Sequence, residues 1–226
     1  IAGCSIDDAR AAIRQAAAIH AGSWRRADLI EADWVRPDPE LSARIAAMYP
    51  QAQAVFRERY ADGLEPEYMA LCEELAATPA FFERDNARPQ CLVHGDFRLD
   101  NMLFDVRDGA EPIAILDWQT VTTGKAMTDI GYFLGCGIGN DLRRAHEDEL
   151  LDLWLSEMAA RGVSLSRAEI DHDYRIGALH GVSTAVCSAA FFERTRRGDA
   201  NFLSMARGAC GLALERESLA ALKENA

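Results

Sequence analysis

Asp96 and Asn101 stand five residues apart in "HGDFRLDN", between the apolar runs Cys91-Leu92-Val93 and Met102-Leu103-Phe104. Asp117 follows 21 residues after Asp96, at the end of a third apolar run, Ile113-Ala114-Ile115-Leu116. Asp and Asn offer hard oxygen donors, which suit Mg²⁺ better than a soft metal, and Mg²⁺ usually arrives with substrate phosphates. Phosphoryl transfer needs a carboxylate to accept or orient the proton of an attacking hydroxyl, and metal ligands to neutralise phosphate charge. Asp96 as base, with Asn101 and Asp117 as metal ligands, is a chemically complete half-site for that reaction. Without Asp117, the stretch His94 to Asn101 also reads as a polar hairpin tip with Gly95 in the turn. Asp117 alone also reads as a strand-end cap.

These residues need rigid elements to hold them, because loop groups on a fixed scaffold are where catalytic side chains tend to sit. Cys91–Val93, Asn101–Phe104 and Ile113–Leu116 read as short strands, the last two joined by the turn-like Asp108-Gly109. Helical spelling surrounds them. Ser5 precedes acids in a first turn and predicts an alanine-rich helix to about His20; Asp38-Pro39-Glu40 opens another, with a break expected at Tyr49-Pro50. A turn at Asp62-Gly63, helices over Glu65 to Ala77 and Pro79 to Arg84, and a stop at Ala87-Arg88-Pro89 follow. From about Ala126 the chain reads as helical to its end, interrupted near Gly137–Asn140, Arg161-Gly162 and Arg197-Gly198. The fold class is α+β and predominantly helical, with a small central strand cluster carrying the polar loop.

Composition narrows the function. The formal net charge of −12 argues against a phosphate-backbone binder, so no nucleic-acid partner is expected. No run of about 18 apolar residues occurs, so no membrane span is expected. Six cysteines at 4, 72, 91, 136, 187 and 210 form no CxxC pair and read as reduced, buried residues of a cytoplasmic protein. The start, Ile1-Ala2-Gly3-Cys4, is neither a basic leader nor a signal peptide. His172 and His180 lack a third ligand and read as ordinary helix residues, His20 as a helix-end packing residue, and Trp154, Phe191 and Phe192 as core.

"HGDFRLDN" followed by "ILDWQ" resembles the aminoglycoside phosphotransferase and choline kinase superfamily, which shares the protein-kinase-like fold. "DWQ" and the later "TDIGYFLG" look most like its ecdysteroid-kinase-like branch and related bacterial small-molecule kinases. The resemblance spans roughly Ser5 to Gly139. It implies that His94 braces the loop by packing and hydrogen bonding. It also implies that Asp129 supports the loop from the following helix, although a plain helix cap fits that residue equally. Asp100 is then a bystander, and Arg98 a candidate contact for a phosphate or a substrate carboxylate. ATP is the implied phosphoryl donor, Mg²⁺ the implied metal, and a small hydroxylated molecule the acceptor.

One part of that pattern is missing. The two lysines, Lys125 and Lys223, both follow Asp117, so neither can be the strand lysine that such kinases carry before the catalytic loop. "GCGIGN" (Gly135–Asn140) follows a helix and is a poor phosphate loop. The expectation is therefore a C-terminal catalytic, substrate-binding lobe over 1–226, with its catalytic and metal-binding segment at 90–120. The N-terminal lobe would be a partner outside this chain, and this piece alone would be inactive. Two other readings remain: a non-catalytic kinase-like binding domain, and a metal-dependent phosphohydrolase. The second requires further His and Asp clusters that five scattered histidines do not supply.

Overall fold

The computed structural model describes residues 3–83 and 90–224; the stop expected at Ala87-Arg88-Pro89 lies outside them, as do Ile1 and Ala2. Five helices come first: α1 (Ile6–Ser23), α2 (Ala27–Ile30), α3 (Pro39–Tyr60), α4 (Pro66–Ala76) and α5 (Ala80–Glu83). Four short strands follow, β1 (Cys91–Val93), β2 (Met102–Val106), β3 (Glu111–Ile115) and β4 (Thr122–Gly124). The chain then stays helical through α6 (Met127–Cys136), α7 (Asn140–Ala160), α8 (Arg167–Phe191), α9 (Arg196–Glu215) and α10 (Ser218–Lys223). This is the predominantly helical α+β architecture that the sequence predicts. Among the described residues no helix is long and apolar enough to cross a membrane.

Several boundaries follow from caps. Ser5 closes a capping box with Asp8, each satisfying the other's backbone N–H, and α1 then runs three residues past His20. Two expected breaks are corrected. Helix α3 continues through Pro50, because its buried face (Tyr49, Ala52, Gln53, Phe56, Tyr60) holds the helix to the core while Pro50 sits on the solvated side. The break placed at Arg197-Gly198 falls earlier: the Thr195 hydroxyl accepts from Gly198 N at 2.9 Å, so Gly198 lies in the first turn of α9.

The strand cluster is two ladders. Antiparallel β1 and β4 pair Cys91 with Gly124 and Val93 with Thr122, and antiparallel β2 and β3 pair Met102 with Ile115 and Phe104 with Ile113. Strand β4 has no sequence signal, since Thr-Thr-Gly is too short to alternate. The expected Asn101–Phe104 strand begins one residue later, because residues 99–101 form a 3-10 turn.

Helix α6 lies at the centre. It packs on α8 and α9, and eight of its ten residues are buried. Glycines permit this closeness, since a Cβ on Gly177 would stand 2.1 Å from the Met127 oxygen, and one on Gly131 would stand 2.5 Å from the Gly177 carbonyl carbon. Trp154 is buried, as expected of a core residue, but Phe191 and Phe192 are 56% and 65% exposed, because α8 there has run past the helices that cover it. A side chain at the α6–α8 crossing would force the helices apart. Gly177→Ala is expected to destabilise the fold by at least the ~1–3 kcal/mol typical of overpacking. Gly22→Ala, where nothing stands within 4 Å of the new Cβ, should be neutral or slightly stabilising in the same thermal unfolding measurement.

Candidate active site

The polar loop between β1 and β2 has a partner for every backbone group of His94, Gly95 and Asp96. His94 N and Gly95 N donate to the two Asp129 carboxylate oxygens, at 2.7 Å and 2.9 Å. The His94 carbonyl accepts from the Thr120 hydroxyl at 2.8 Å, and the Gly95 carbonyl from His180 Nε2 at 2.8 Å. Asp96 N donates to His94 Nδ1 at 3.3 Å, while the Asp96 carbonyl accepts from Arg98 N at 3.0 Å and from Asn101 Nδ2 at 2.9 Å. Gly95 has φ +81°, and a Cβ there would stand 2.7 Å from the Thr120 oxygen, so glycine is required twice over. Buried backbone groups without partners would cost the loop its shape; here none of these six lacks one.

His94 is fully buried, and its Nε2 donates to the Leu116 carbonyl at 2.8 Å. With Nδ1 accepting from Asp96 N, both ring nitrogens are committed, which assigns the neutral Nε2–H tautomer. The same bookkeeping applies to His20. Trp154 Nε1, which can only donate, is 3.1 Å from His20 Nδ1, so His20 Nε2 carries its proton toward Asp129 at 3.2 Å.

Asp129 thus accepts three N–H bonds while buried, and it sits in the first turn of α6. Burial opposes its ionisation, but the His20 hydrogen bond and the two peptide N–H groups prevail and hold the carboxyl below its ordinary value. Of the two roles open to Asp129, loop brace and helix cap, the hydrogen bonds assign the brace.

The Asp96 side chain gathers the remaining polar groups. Tyr132 OH donates to its Oδ1 at 3.0 Å, Asn101 Nδ2 to its Oδ2 at 2.8 Å, and Arg98 Nε lies 3.2 Å away. Burial first, and with it the negative charge of neighbouring Asp96, keeps the Tyr132 phenol well above its ordinary pKa, so it remains a donor. Arg98 also pairs with exposed Asp100 at 3.3 Å. Its contacts are therefore the loop's own carboxylates.

Asp117 reaches the site through strand register. Met102 pairs with Ile115, and Leu116 N donates to the Asn101 carbonyl at 2.8 Å, which carries the ladder one step past the strands. Asp117 is the next residue along, just past this bond. Asp117 is exposed and left-handed (φ 60°, ψ 60°), a conformation that Asp tolerates better than most side chains. Trp118 Nε1 donates to the Ile115 carbonyl at 3.0 Å and fixes the turn.

The structure therefore joins Asp96, Asn101 and Arg98 directly, ties His94 to Asp129, and leaves Asp117 one residue beyond Leu116, whose N–H is bonded to the Asn101 carbonyl. Tyr132, Thr120, His20 and His180 complete the site and were missed by sequence reasoning, which took both histidines as helix residues of no special role. Only Tyr132 had a usable signal, three positions after Asp129 on one helical face. Among the described residues no three His, Cys, Asp or Glu side chains converge to hold a metal.

A model of the phosphotransferase enzyme family matches residues 6–163. Among curated proteins, acyl-CoA dehydrogenase family member 11 of Mus musculus is 44% identical over 48 residues, covering 21% of this chain and 6% of that protein. Family member 10 of Mus musculus is 51% identical over 41 residues, 18% of this chain and 4% of that protein. A probable acyl-CoA dehydrogenase of Arabidopsis thaliana is 46% identical over 41 residues, 18% of this chain and 5% of that protein. This chain therefore spans only a small fraction of the curated relatives it matches. A solved structure of a microcompartment-associated aminopropanol kinase is similar over 97% of this chain and 65% of its own, at 18% identity and a TM-score of 0.49.

The Asp129 carboxylate should dominate acid stability. Because its folded pKa is depressed, its contribution is present above the unfolded carboxyl value of about 3.9 and is lost as pH falls through the lower folded value. Asp129→Asn is expected to cost about 1–3 kcal/mol or more at neutral pH, since two peptide N–H groups lose their charged acceptor. Urea unfolding of both proteins between pH 7 and pH 3 should show their difference narrowing as the pH falls.

Proposed function

Because the chain belongs to the phosphotransferase enzyme family, we propose that it is the catalytic, acceptor-binding lobe of a small-molecule kinase, transferring the γ-phosphoryl group of ATP to a hydroxyl. The observation that carries this reading is the Asp96 carboxylate. Strands and helices fix its peptide on every side, and its own oxygens hold Asn101 in one orientation.

Magnesium fits the donor set. Both Nδ2 hydrogens of Asn101 are directed to Asp96 oxygens, so the Asn101 amide oxygen is the atom left to a hard cation. Asp117, exposed just past the ladder, supplies a carboxylate. Asn101 and Asp117 would hold Mg²⁺, which when bound neutralises charge on the nucleotide phosphates.

In this reading Asp96 orients the acceptor hydroxyl and takes its proton. The acceptor oxygen bonds to the γ-phosphorus, the bond to the β–γ bridging oxygen breaks, and ADP leaves with that electron pair. Tyr132 and Asn101 keep the carboxylate aimed, and Arg98 offsets its charge until an acceptor arrives. His94 and Asp129 act through the loop backbone and do not move the proton. Adenine and phosphate contacts would come from an N-terminal lobe acting as this lobe's partner. All six cysteines are free thiols, which supports a reducing, cytoplasmic setting.

In the intact protein, Asp96→Asn is expected to lower acceptor-dependent ATP consumption by about 10²–10⁴-fold, the usual worth of a positioned base. Unchanged turnover would remove Asp96 from that role. Asp117→Ala should raise the Mg²⁺ concentration needed for half-maximal rate. The present chain by itself should bind Mg-ATP weakly in calorimetry, and tight binding would overturn the single-lobe reading.

A further inference from the structure

A cavity of about 420 Å³ opens beside the catalytic loop, between α3, α5, β1, β4 and α8. That volume suits a compact small molecule. Gly95, the residue before Asp96, lines it, and so does His180, which donates to the Gly95 carbonyl. The cavity thus reaches the peptide that carries the proposed base.

Its lining has a distinct chemistry. Phe81, Phe82 and Ile45 contribute apolar surface, while Ser42, Thr184 and Ser188 contribute hydroxyls. Among the described residues that line it there is no Asp, Glu, Lys or Arg. The chain holds 36 acidic residues, so an uncharged lining is not what its overall composition would suggest. Lys125, next to the lining residue Gly124, pairs with Asp173 at 3.5 Å, and Asp173 also accepts from Gln90 at 2.9 Å. Those two charges are spent on each other.

An ammonium or carboxylate group entering such a cavity would shed water and meet no opposite charge among the described lining residues, so its desolvation would go uncompensated by them. An uncharged alcohol meets no such cost. Its carbon body gains from leaving water, and its hydroxyls exchange hydrogen bonds with serine and threonine, which both donate and accept. We propose that this cavity receives the acceptor and selects an uncharged alcohol with an apolar carbon body over aminoalcohols and hydroxy acids. The placement rests on the kinase reading; the substrate class is added by the lining.

Saturation-transfer NMR on the present chain tests the class directly, with 1,2-hexanediol, 6-amino-1-hexanol and 6-hydroxyhexanoate as probes at equal concentration. The diol is expected to bind more tightly than either charged probe by about tenfold or more, a modest estimate for an unpaired charge. Thr184→Trp, which fills the cavity from a half-buried position, should abolish the diol signal. Thr184→Asp should reverse the order, favouring the amine. Absence of diol binding, equal or tighter binding of 6-amino-1-hexanol to the unmodified chain, or a diol signal unchanged in both variants would overturn the proposal. If the intact protein then consumes no ATP with any alcohol, the kinase reading fails while the cavity's preference stands; ATP consumption with amines alone overturns the uncharged class and leaves the kinase reading in place.

Discussion

One buried carboxylate sets the terms for the rest of the molecule. Asp129 takes the N–H groups of two consecutive peptides, His94 and Gly95, and a third proton from His20. An isolated carboxylate in that position would be costly, and the three donors are what make it tolerable. The donors come from two distant parts of the chain, so the requirement spreads. The loop must pass beside α6, α1 must present His20 there, and Trp154 of α7 must in turn fix His20.

This explains why the helices around α6 carry so little side-chain bulk where they cross it. Gly177 on α8 and Gly208 on α9 touch the α6 backbone, with Cβ positions 2.1 Å and 2.0 Å from its carbonyl oxygens. Backbone-to-backbone packing leaves little freedom for sliding, because interiors packed to crystal-like density do not deform continuously. The same approach of α8 brings His180 to the Gly95 carbonyl. The stiffness of the helical core and the fixed aim of Asp96 are therefore one property seen at two places.

Legibility in the sequence followed distance along the chain. Asp96, Asn101 and Asp117 were readable because their spacing is local and the strands between them are short and apolar. The cap at Ser5 acts on Asp8, three residues away, and is equally direct. What could not be read were contacts spanning 109 residues, as between His20 and Asp129, or 85, as between His180 and Gly95. No periodicity marks a histidine for a partner so far away. Pro50 misled for a related reason: its local preference to end a helix was overridden by packing of the opposite face of α3, which only the folded core supplies.

The two halves of the site are not held alike. Asp96 follows the ladder of β1 and β4, against which α1 and α2 pack, and the backbone groups of His94, Gly95 and Asp96 are all satisfied. Asp117 belongs to the separate β2–β3 hairpin, whose Leu103, Leu116 and Trp118 are 51%, 41% and 41% exposed. The Leu116–Asn101 bond, the His94–Leu116 bond and the Trp118 ring, 4.9 Å from the His94 ring, tie that hairpin's end to the loop. Such an arrangement suits a base that must keep one geometry and a metal ligand that must adjust as a nucleotide comes and goes. The left-handed backbone at Asp117 belongs to the same logic, since strained residues persist where surrounding bonds over-determine them, as the Trp118 indole does here. Rigidity is concentrated on the proposed base, and exposure is left to the proposed metal ligand.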